Sequence, residues 1–319
     1  MPKVSVIVPM YGVEKYIERC ARRLFEQTLN DIEYLFIDDC TLDKSVDILK
    51  HVLEEYPKRK SQVILHRMEK NCGLAAVRKW GVLHATGEYI IHCDSDDWVD
   101  VHMYEEMYNK AIVEDADVVV CDYAETDSID EKHIKACHST DVDVFIENNL
   151  LMIDSWAVWN KMFKRSLYSN IIYPMGAMGE DLVISLQLLA KCKRLSYIPV
   201  VFYYYYKNPM SITQKITKET CLRNFEQFHG NASSIFNLFE LTDISSRTKS
   251  GLFFLKYKVK NTLLPLVWNK QYFDEWFHLY SDIYIPFMLS KHINLFNKVV
   301  LLLILLRILP QKKHRISFT

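Results

Sequence analysis

The sequence predicts an α/β protein, a mostly parallel sheet flanked by helices, with a helical C-terminal extension. Three observations carry this. From Val4 to Cys121 short apolar runs alternate with helical patterns about a dozen residues long, the rhythm of βαβ units. Polar or acidic residues follow several of those runs directly, at the edge where open α/β sheets bind ligands. From about Thr217 strand signals fade, and helical segments rich in Phe, Leu, Tyr and Trp take over. Two units are therefore expected, residues 1–215 and a helical region 216–319.

In order, Val4–Val8 reads as a first strand, turned by Pro9-Met10-Tyr11-Gly12 into a helix from about Val13 to Gln27. Its apolar positions Tyr16, Ile17, Cys20, Leu24 and Phe25 recur at helical spacing. A second strand, Glu33–Ile37, ends in Asp38-Asp39, and Asp43 or Thr41 offers an N-cap for the next helix. A third, Gln62–His66, leads through Asn71-Cys72-Gly73 into a helix ending at Ala85, which Thr86-Gly87 stops. A fourth, Tyr89–Cys93, precedes a helix over about Val101–Glu114 and a strand Asp117–Cys121. Residues 124–150 are polar and weakly periodic and suggest no particular element. Beyond them, Ser155–Arg165 interleaves apolar and basic residues, and Gly176–Gly179 turns into Glu180-Asp181 and a helix carrying Leu182, Ile184, Leu186, Leu188 and Leu189. Pro199–Tyr206 reads as a strand with a tyrosine run, followed by Asn208-Pro209-Met210-Ser211.

Composition narrows the functional classes. With 319 residues, 50% hydrophobic and 25% charged, the chain is an ordinary globular protein. A formal net charge of −1 argues against a nucleic-acid-binding surface. The eight cysteines form no Cys-x-x-Cys pair and no zinc spacing, so reduced thiols and a cytoplasmic location are expected. The apolar run after Met1-Pro2-Lys3 is too short for a secretory signal core.

The chemistry concentrates after the fourth strand, in Asp94-Ser95-Asp96-Asp97-Trp98. Three carboxylates in four positions repel one another, and hard oxygen ligands favour Mg²⁺ or Mn²⁺ over zinc. The plain alternative is an acidic turn capping the next helix. An extended backbone would turn Asp94 and Asp96 to one face and Asp97 to the other. A calcium loop fails, because Trp98 and Val99 stand where an EF-hand needs Asp or Asn and then Gly. No Gly-x-Gly-x-x-Gly or Walker motif occurs. Tyr11 and Asp39 fall on loops at the same predicted edge, where one can stack on a nucleobase and the other accept its imide N–H, against plain packing and capping roles. Arg78 fits either a surface arginine or a diphosphate or carboxylate contact, and Lys161, Lys164 and Arg165 are similarly open. Glu180-Asp181 at a helix start suits the helix dipole, or makes Asp181 a general base across a cleft.

Together these residues resemble the family 2 glycosyltransferases with a GT-A fold. The resemblance runs over Val4–Tyr11, Gln27-Thr28, Ile37-Asp38-Asp39, Asn71-x-Gly73 with Arg78, Ala85–Ile90, Asp94–Trp98, Trp159-Asn160-Lys161 and Gly179-Glu180-Asp181, about residues 3–210. It departs at Gly12, Cys40-Thr41 and Lys79, where none of the groups needed for chemistry is lost. The resemblance implies a nucleotide-sugar donor, UDP-linked, held by Pro9, Tyr11, Asp39, Arg78, Asp94, Ser95 and Asp96. It implies a divalent cation, Mn²⁺ or Mg²⁺, on Asp94, Asp96 and Asp97, and Asp181 as the base of an inverting transfer to a saccharide or lipid-linked acceptor. Glu180, Lys161 and Trp159 resemble substrate-orienting residues. Two other classes compete: a sugar-nucleotide pyrophosphorylase, which expects a Gly-rich loop that Pro9–Gly12 does not supply, and a degenerate nucleotide-sugar-binding subunit. Finally, Val299–Leu306 is an eight-residue apolar run between Lys298 and Arg307, with Lys312, Lys313 and Arg315 beyond and no acid after Asp282. A bilayer span needs about 20 apolar residues. The run therefore reads either as a core helix or as a peripheral contact with the inner face of the cell membrane.

Overall fold

The computed structural model describes residues 1–127, 129–208, 217–240 and 244–308. Pro209-Met210-Ser211, the boundary at 215 and the basic Lys312, Lys313 and Arg315 lie outside the described residues. The first half follows the expected rhythm: β1 (Val4–Met10), α1 (Ile17–Phe25), β2 (Ile32–Asp38), α2 (Ser45–Glu54), β3 (Val63–Arg67), α3 (Leu74–His84) and β4 (Tyr89–His92). The four strands pair in parallel in the order β3-β2-β1-β4. Helix α1 starts four residues later than its apolar pattern suggested. Helix α2 is capped at Lys44, while Asp43 just before it accepts the Ser45 N–H at 3.1 Å.

The second half contains β5 (Trp98–Val99), α4 (Met103–Val113), β6 (Val118–Thr126), β7 (Glu131–Ile134), α5 (Val142–Leu150), β8 (Lys161–Lys164), α6 (Glu180–Leu189) and β9 (Leu195–Tyr206). The stretch that suggested no element thus holds the end of β6, a hairpin partner and a helix capped by Asp141, which accepts the Val144 N–H at 3.0 Å. Strand β8 enters antiparallel between β4 and β6, so the sheet is parallel on one side and mixed on the other. Two reversals restore direction: β6 runs the same way as β4, and β9 lies parallel to β6. The carboxyl ends of β1, β2, β4, β6 and β9 therefore share one edge.

Side-chain alternation feeds an apolar layer on each face. Ile7, Leu35, Ile37, Ile90 and Val120 meet Val77 of α3 and Leu182 and Leu186 of α6. Val6, Val8, Phe36 and Ile91 meet Ile17, Leu24, Leu49 and Met107. At Gly81 of α3 a Cβ would stand 2.6 Å from Ile7 Cγ2, so only glycine allows that helix so close to the sheet.

The C-terminal part is helical: α7 (Lys218–Glu240), α8 (Ser246–Lys260), α9 (Lys270–His278), α10 (Tyr284–Leu289) and α11 (Leu295–Leu305). Helix α7 sends Phe228, Ala232 and Ile235 into the same apolar layer as α6. The later helices gather around Trp276, Tyr257, Phe287, Leu301 and Ile304. In that cluster the buried Lys260 donates to the Leu279 carbonyl (2.8 Å) and the Tyr284 hydroxyl (2.7 Å). Burial pushes its ammonium pKa down to about 7. Helix α11 buries Leu301 and Ile304 but leaves Leu295, Phe296 and Leu302 exposed, as is Leu306 just beyond its end. Among the described residues no helix is long and apolar enough to cross a membrane.

Candidate active site

After β4 the chain turns rather than extending, with the Asp97 N–H donating to the Asp94 carbonyl at 3.1 Å. The turn separates the three carboxylates. Asp94 meets Arg78 of α3 at 2.6 Å. The same buried guanidinium contacts Glu180 and Asp181 at the start of α6. One cation thus faces three carboxylates, two of them held a hundred residues further along the chain. Burial alone would lower the Arg78 pKa, but Glu180, Asp94 and Asp181 hold it well above its ordinary value. Burial raises both Glu180 and Asp94, with Arg78 opposing it.

Asp96 accepts from Asn208 Nδ2 at 3.1 Å. Asp97 points inward and is buried, taking the Tyr203 hydroxyl at 2.6 Å and the Tyr206 N–H at 2.7 Å. Burial, then the neighbouring Asp96 and Asp94, raise its pKa well above the carboxylate range. Asp97 therefore ties the acidic turn to β9. Ser95 donates to the Pro9 carbonyl at 2.7 Å and locks the turn onto the end of β1.

Tyr11 is exposed just beyond β1. Asp39, just past β2, accepts the N–H groups of Cys72 (2.7 Å) and Gly73 (2.8 Å), which fixes the loop that leads into α3. Lys161 is fully buried, and its ammonium donates to the Ser155 and Ala157 carbonyls, both at 2.7 Å, and to Asn160 Oδ1 at 3.0 Å. Burial pushes it down to about 8. Its three donors are committed to the 155–160 loop, so its position is that of a brace. Trp159 is buried in a near-parallel stack with Tyr203, ring centroids 4.3 Å apart.

The structure thus brings Arg78, Asp94, Glu180 and Asp181 into contact and sets Ser95, Asp96, Pro9, Tyr11 and Asp39 along the same edge. Sequence reasoning missed Asn208 at Asp96, Tyr203 and Tyr206 at Asp97, and Arg19, which donates to the Asp96 carbonyl at 2.8 Å and lies 3.7 Å above the Trp98 ring. The tyrosine run was visible as a strand, and its alternation was the available signal. Also missed was Asn231 of α7. It accepts the Met175 N–H at 2.8 Å and donates to the Met178 carbonyl at 2.8 Å, bracing the loop before Glu180.

Among the described residues no three His, Cys, Asp or Glu side chains form a ready metal cage. The donor chemistry nonetheless fits a hard divalent cation. Asp94 and Asp96 offer carboxylate oxygens, Glu180 Oε2 is buried with no hydrogen-bond partner, and three carboxyl groups share the single guanidinium of Arg78. Mg²⁺ is commonly held by one or two carboxylates plus substrate phosphates.

Comparison with known proteins gives the same direction. The family described as glycosyl transferase family 2 matches residues 5–177. The uncharacterized glycosyltransferase EpsJ of Bacillus subtilis is 29% identical over 225 residues, 67% of this chain and 64% of that protein. The poly(ribitol-phosphate) beta-glucosyltransferase of Bacillus spizizenii is 28% identical over 64% of this chain, which spans only 32% of that protein. In fold, residues 1–349 of S. aureus TarS in complex with UDP-GlcNAc superpose with a TM-score of 0.70 at 19% identity, covering 88% of this chain and 80% of that one. The mannosyltransferase PcManGT of Pyrobaculum calidifontis, in complex with GDP-Man and Mn²⁺, gives 0.55 at 14% identity over 98% of this chain and 88% of that one. With its GT-A-like sheet and the family match across more than half its length, this chain belongs to glycosyl transferase family 2.

Proposed function

We propose that this enzyme transfers a hexose from a nucleoside-diphosphate sugar, UDP-linked, to a hydroxyl of a saccharide or lipid-linked acceptor in surface polysaccharide biosynthesis, with inversion. The observation that carries it is the Arg78 cluster, which joins Asp94 on the acidic turn to Asp181 on α6. Nucleotide sugars bound to TarS and PcManGT support the donor class.

In this reading the face of Tyr11 stacks on the base. Asp39 keeps lone pairs for an imide N–H, since a carboxylate accepts about four hydrogen bonds. Asp94 and Asp96 would hold Mg²⁺ or Mn²⁺, which supplies Lewis-acid stabilisation of the departing diphosphate. Asp97 keeps the turn in place from inside. Asp181 takes the proton of the acceptor hydroxyl; the oxygen bonds to the anomeric carbon as its bond to the diphosphate breaks, and that electron pair leaves with the nucleoside diphosphate. One displacement of this kind inverts the centre. Arg78 orients Asp181 and Asp94 relative to each other, and Glu180 helps to fix it. The exposed stripe of α11, with no acid after Asp282, favours a peripheral contact with an anionic lipid surface at the inner face of the membrane.

The test is hydrolysis of UDP-glucose, UDP-galactose, UDP-N-acetylglucosamine and GDP-mannose with and without Mg²⁺ or Mn²⁺. Metal-dependent turnover of one donor is expected; binding without turnover of any would favour the degenerate-subunit reading instead. Asp181→Asn should lower transfer by about 10²–10⁴, the usual span of general-base catalysis, with little change in donor affinity. Wild-type transfer in that variant would sink the base assignment.

A further inference from the structure

Strand β9 ends in four consecutive tyrosines, Tyr203 to Tyr206, which alternation divides between the two faces of the sheet. Tyr204 stacks on Trp98 at 5.4 Å, and Arg19 lies over Trp98 and Tyr206. On the opposite face, Tyr203 and Tyr205 both stack on Trp159, at 4.3 Å and 18° and at 5.7 Å and 16°. Tyr123 meets the same indole edge-on at 4.8 Å. The layer runs from fully buried Tyr203 through buried Trp159 to Tyr205, which keeps 36% of its surface exposed. A braced aromatic stack thus ends on an open ring.

Its location is set by the topology. The order β3-β2-β1-β4-β8-β6-β9 places Asp39 and Tyr11 on one side of Asp94 and Tyr205 on the other, all at carboxyl ends on one edge. Residues on both sides of Tyr205 are bonded to Asp97, which closes the turn carrying Asp94 and Asp96. On the function proposed above, the nucleoside takes the Tyr11 side and the diphosphate takes the turn. The transferable sugar and its acceptor then lie toward β9.

We propose that Tyr205, backed by Trp159, is a stacking platform for a pyranose ring of the acceptor. A pyranose presents a face of C–H bonds ringed by hydroxyls. An aromatic ring matches that face, and the carboxylates beside it match the hydroxyls. This platform rests on the glycosyl-transfer reading but is distinct from its donor residues.

The experiment uses the full chain with UDP and Mg²⁺, and saturation-transfer NMR with the methyl glycosides of glucose, galactose and N-acetylglucosamine. Wild type should transfer saturation to the ring C–H protons of at least one glycoside. Tyr205→Ala should weaken that binding about tenfold, and Tyr205→Phe, which keeps the ring, by no more than about twofold. The KM for the UDP-sugar should move less than about twofold in both, which also reports that the variants are folded. The platform is overturned if no glycoside binds wild type, if Tyr205→Ala binds like wild type, or if the donor KM rises as much as the acceptor affinity falls. Glycoside binding through Tyr205 in a chain that binds no nucleotide sugar would overturn the donor reading and leave the platform standing.

Discussion

Replacing Arg78 with Gln keeps much of its length and hydrogen-bonding capacity and removes the one charge that three carboxylates share. The Arg78 and Glu180 side chains are 5% and 4% exposed, so neither is relieved by solvent. Asp94 and Asp181, at 26% and 21%, retain some water. Breaking a buried ion pair by removing one partner costs about 3–5 kcal/mol, and the partial hydration of two partners puts this case near about 3. With a urea m-value of about 3 kcal/mol/M, the midpoint should fall by about 1 M. The carboxylates left behind cause most of that loss, so adding Glu180→Gln to Arg78→Gln should recover about 1–2 kcal/mol, as neighbours in one network couple. Mg²⁺ should raise the midpoint of the single variant more than that of wild type, because a cation then meets uncompensated charge. Metal-free urea unfolding monitored by far-UV circular dichroism provides the readout. An unchanged midpoint in Arg78→Gln, or strictly additive losses in the double variant, would refute the clamp.

Other outcomes follow from particular contacts. Burial holds Lys260 at about 7, against about 10.4 in an unfolded chain, so the unfolded state binds more protons between those values and stability rises with pH across that window. The unfolding free energy of wild type relative to Lys260→Met should therefore grow from about pH 7 to 10, and a constant difference would contradict it. Gly179 has φ +75°, and a Cβ there would lie 2.6 Å from Phe228 Cδ2. Gly179→Ala should cost about 1–3 kcal/mol in thermal or urea unfolding and slow transfer more than it weakens donor binding; a stable, fully active variant would disprove the positioning. Phe296→Glu with Leu302→Glu should reduce co-sedimentation with phosphatidylglycerol vesicles at least about tenfold, since each buried apolar side chain contributes about 1.5–3 kcal/mol. A wild-type chain that stays in the supernatant would end the membrane reading.

The sequence was most informative where local pattern decides structure. The apolar runs of β1, β2 and β4 and the alternating helices could be read directly, because parallel strands buried on both faces need continuous apolar stretches. The antiparallel entry of β8 could not, since its four residues mix Lys161 and Lys164 with Met162 and Phe163 and pair with strands far along the chain. The acidic turn was visible, and so was the split of Asp97 from Asp94 and Asp96, but not what holds Asp96 and Asp97 in place. That depends on Tyr203, Tyr206 and Asn208, more than a hundred residues away. Lys161 stayed open between a surface cation and a ligand contact, because two of its three acceptors are backbone carbonyls, which every residue carries and no side chain announces. Arg78 was ambiguous for a different reason: Glu180 and Asp181, which reach it from the start of α6, are remote in sequence.

The bracing of the Met175–Met178 loop by Asn231 has a consequence for engineering. The family match ends at residue 177, before Asp181 and well before α7. A donor-specificity graft cut at that border would part the proposed base from Arg78 and Asp94, and Met175 from the Asn231 that braces it. Recombination between relatives should therefore keep residues 174–240 as one cassette, with the exchange point placed beyond α7, so that Gly176, Gly179, Phe228 and Asn231 travel together.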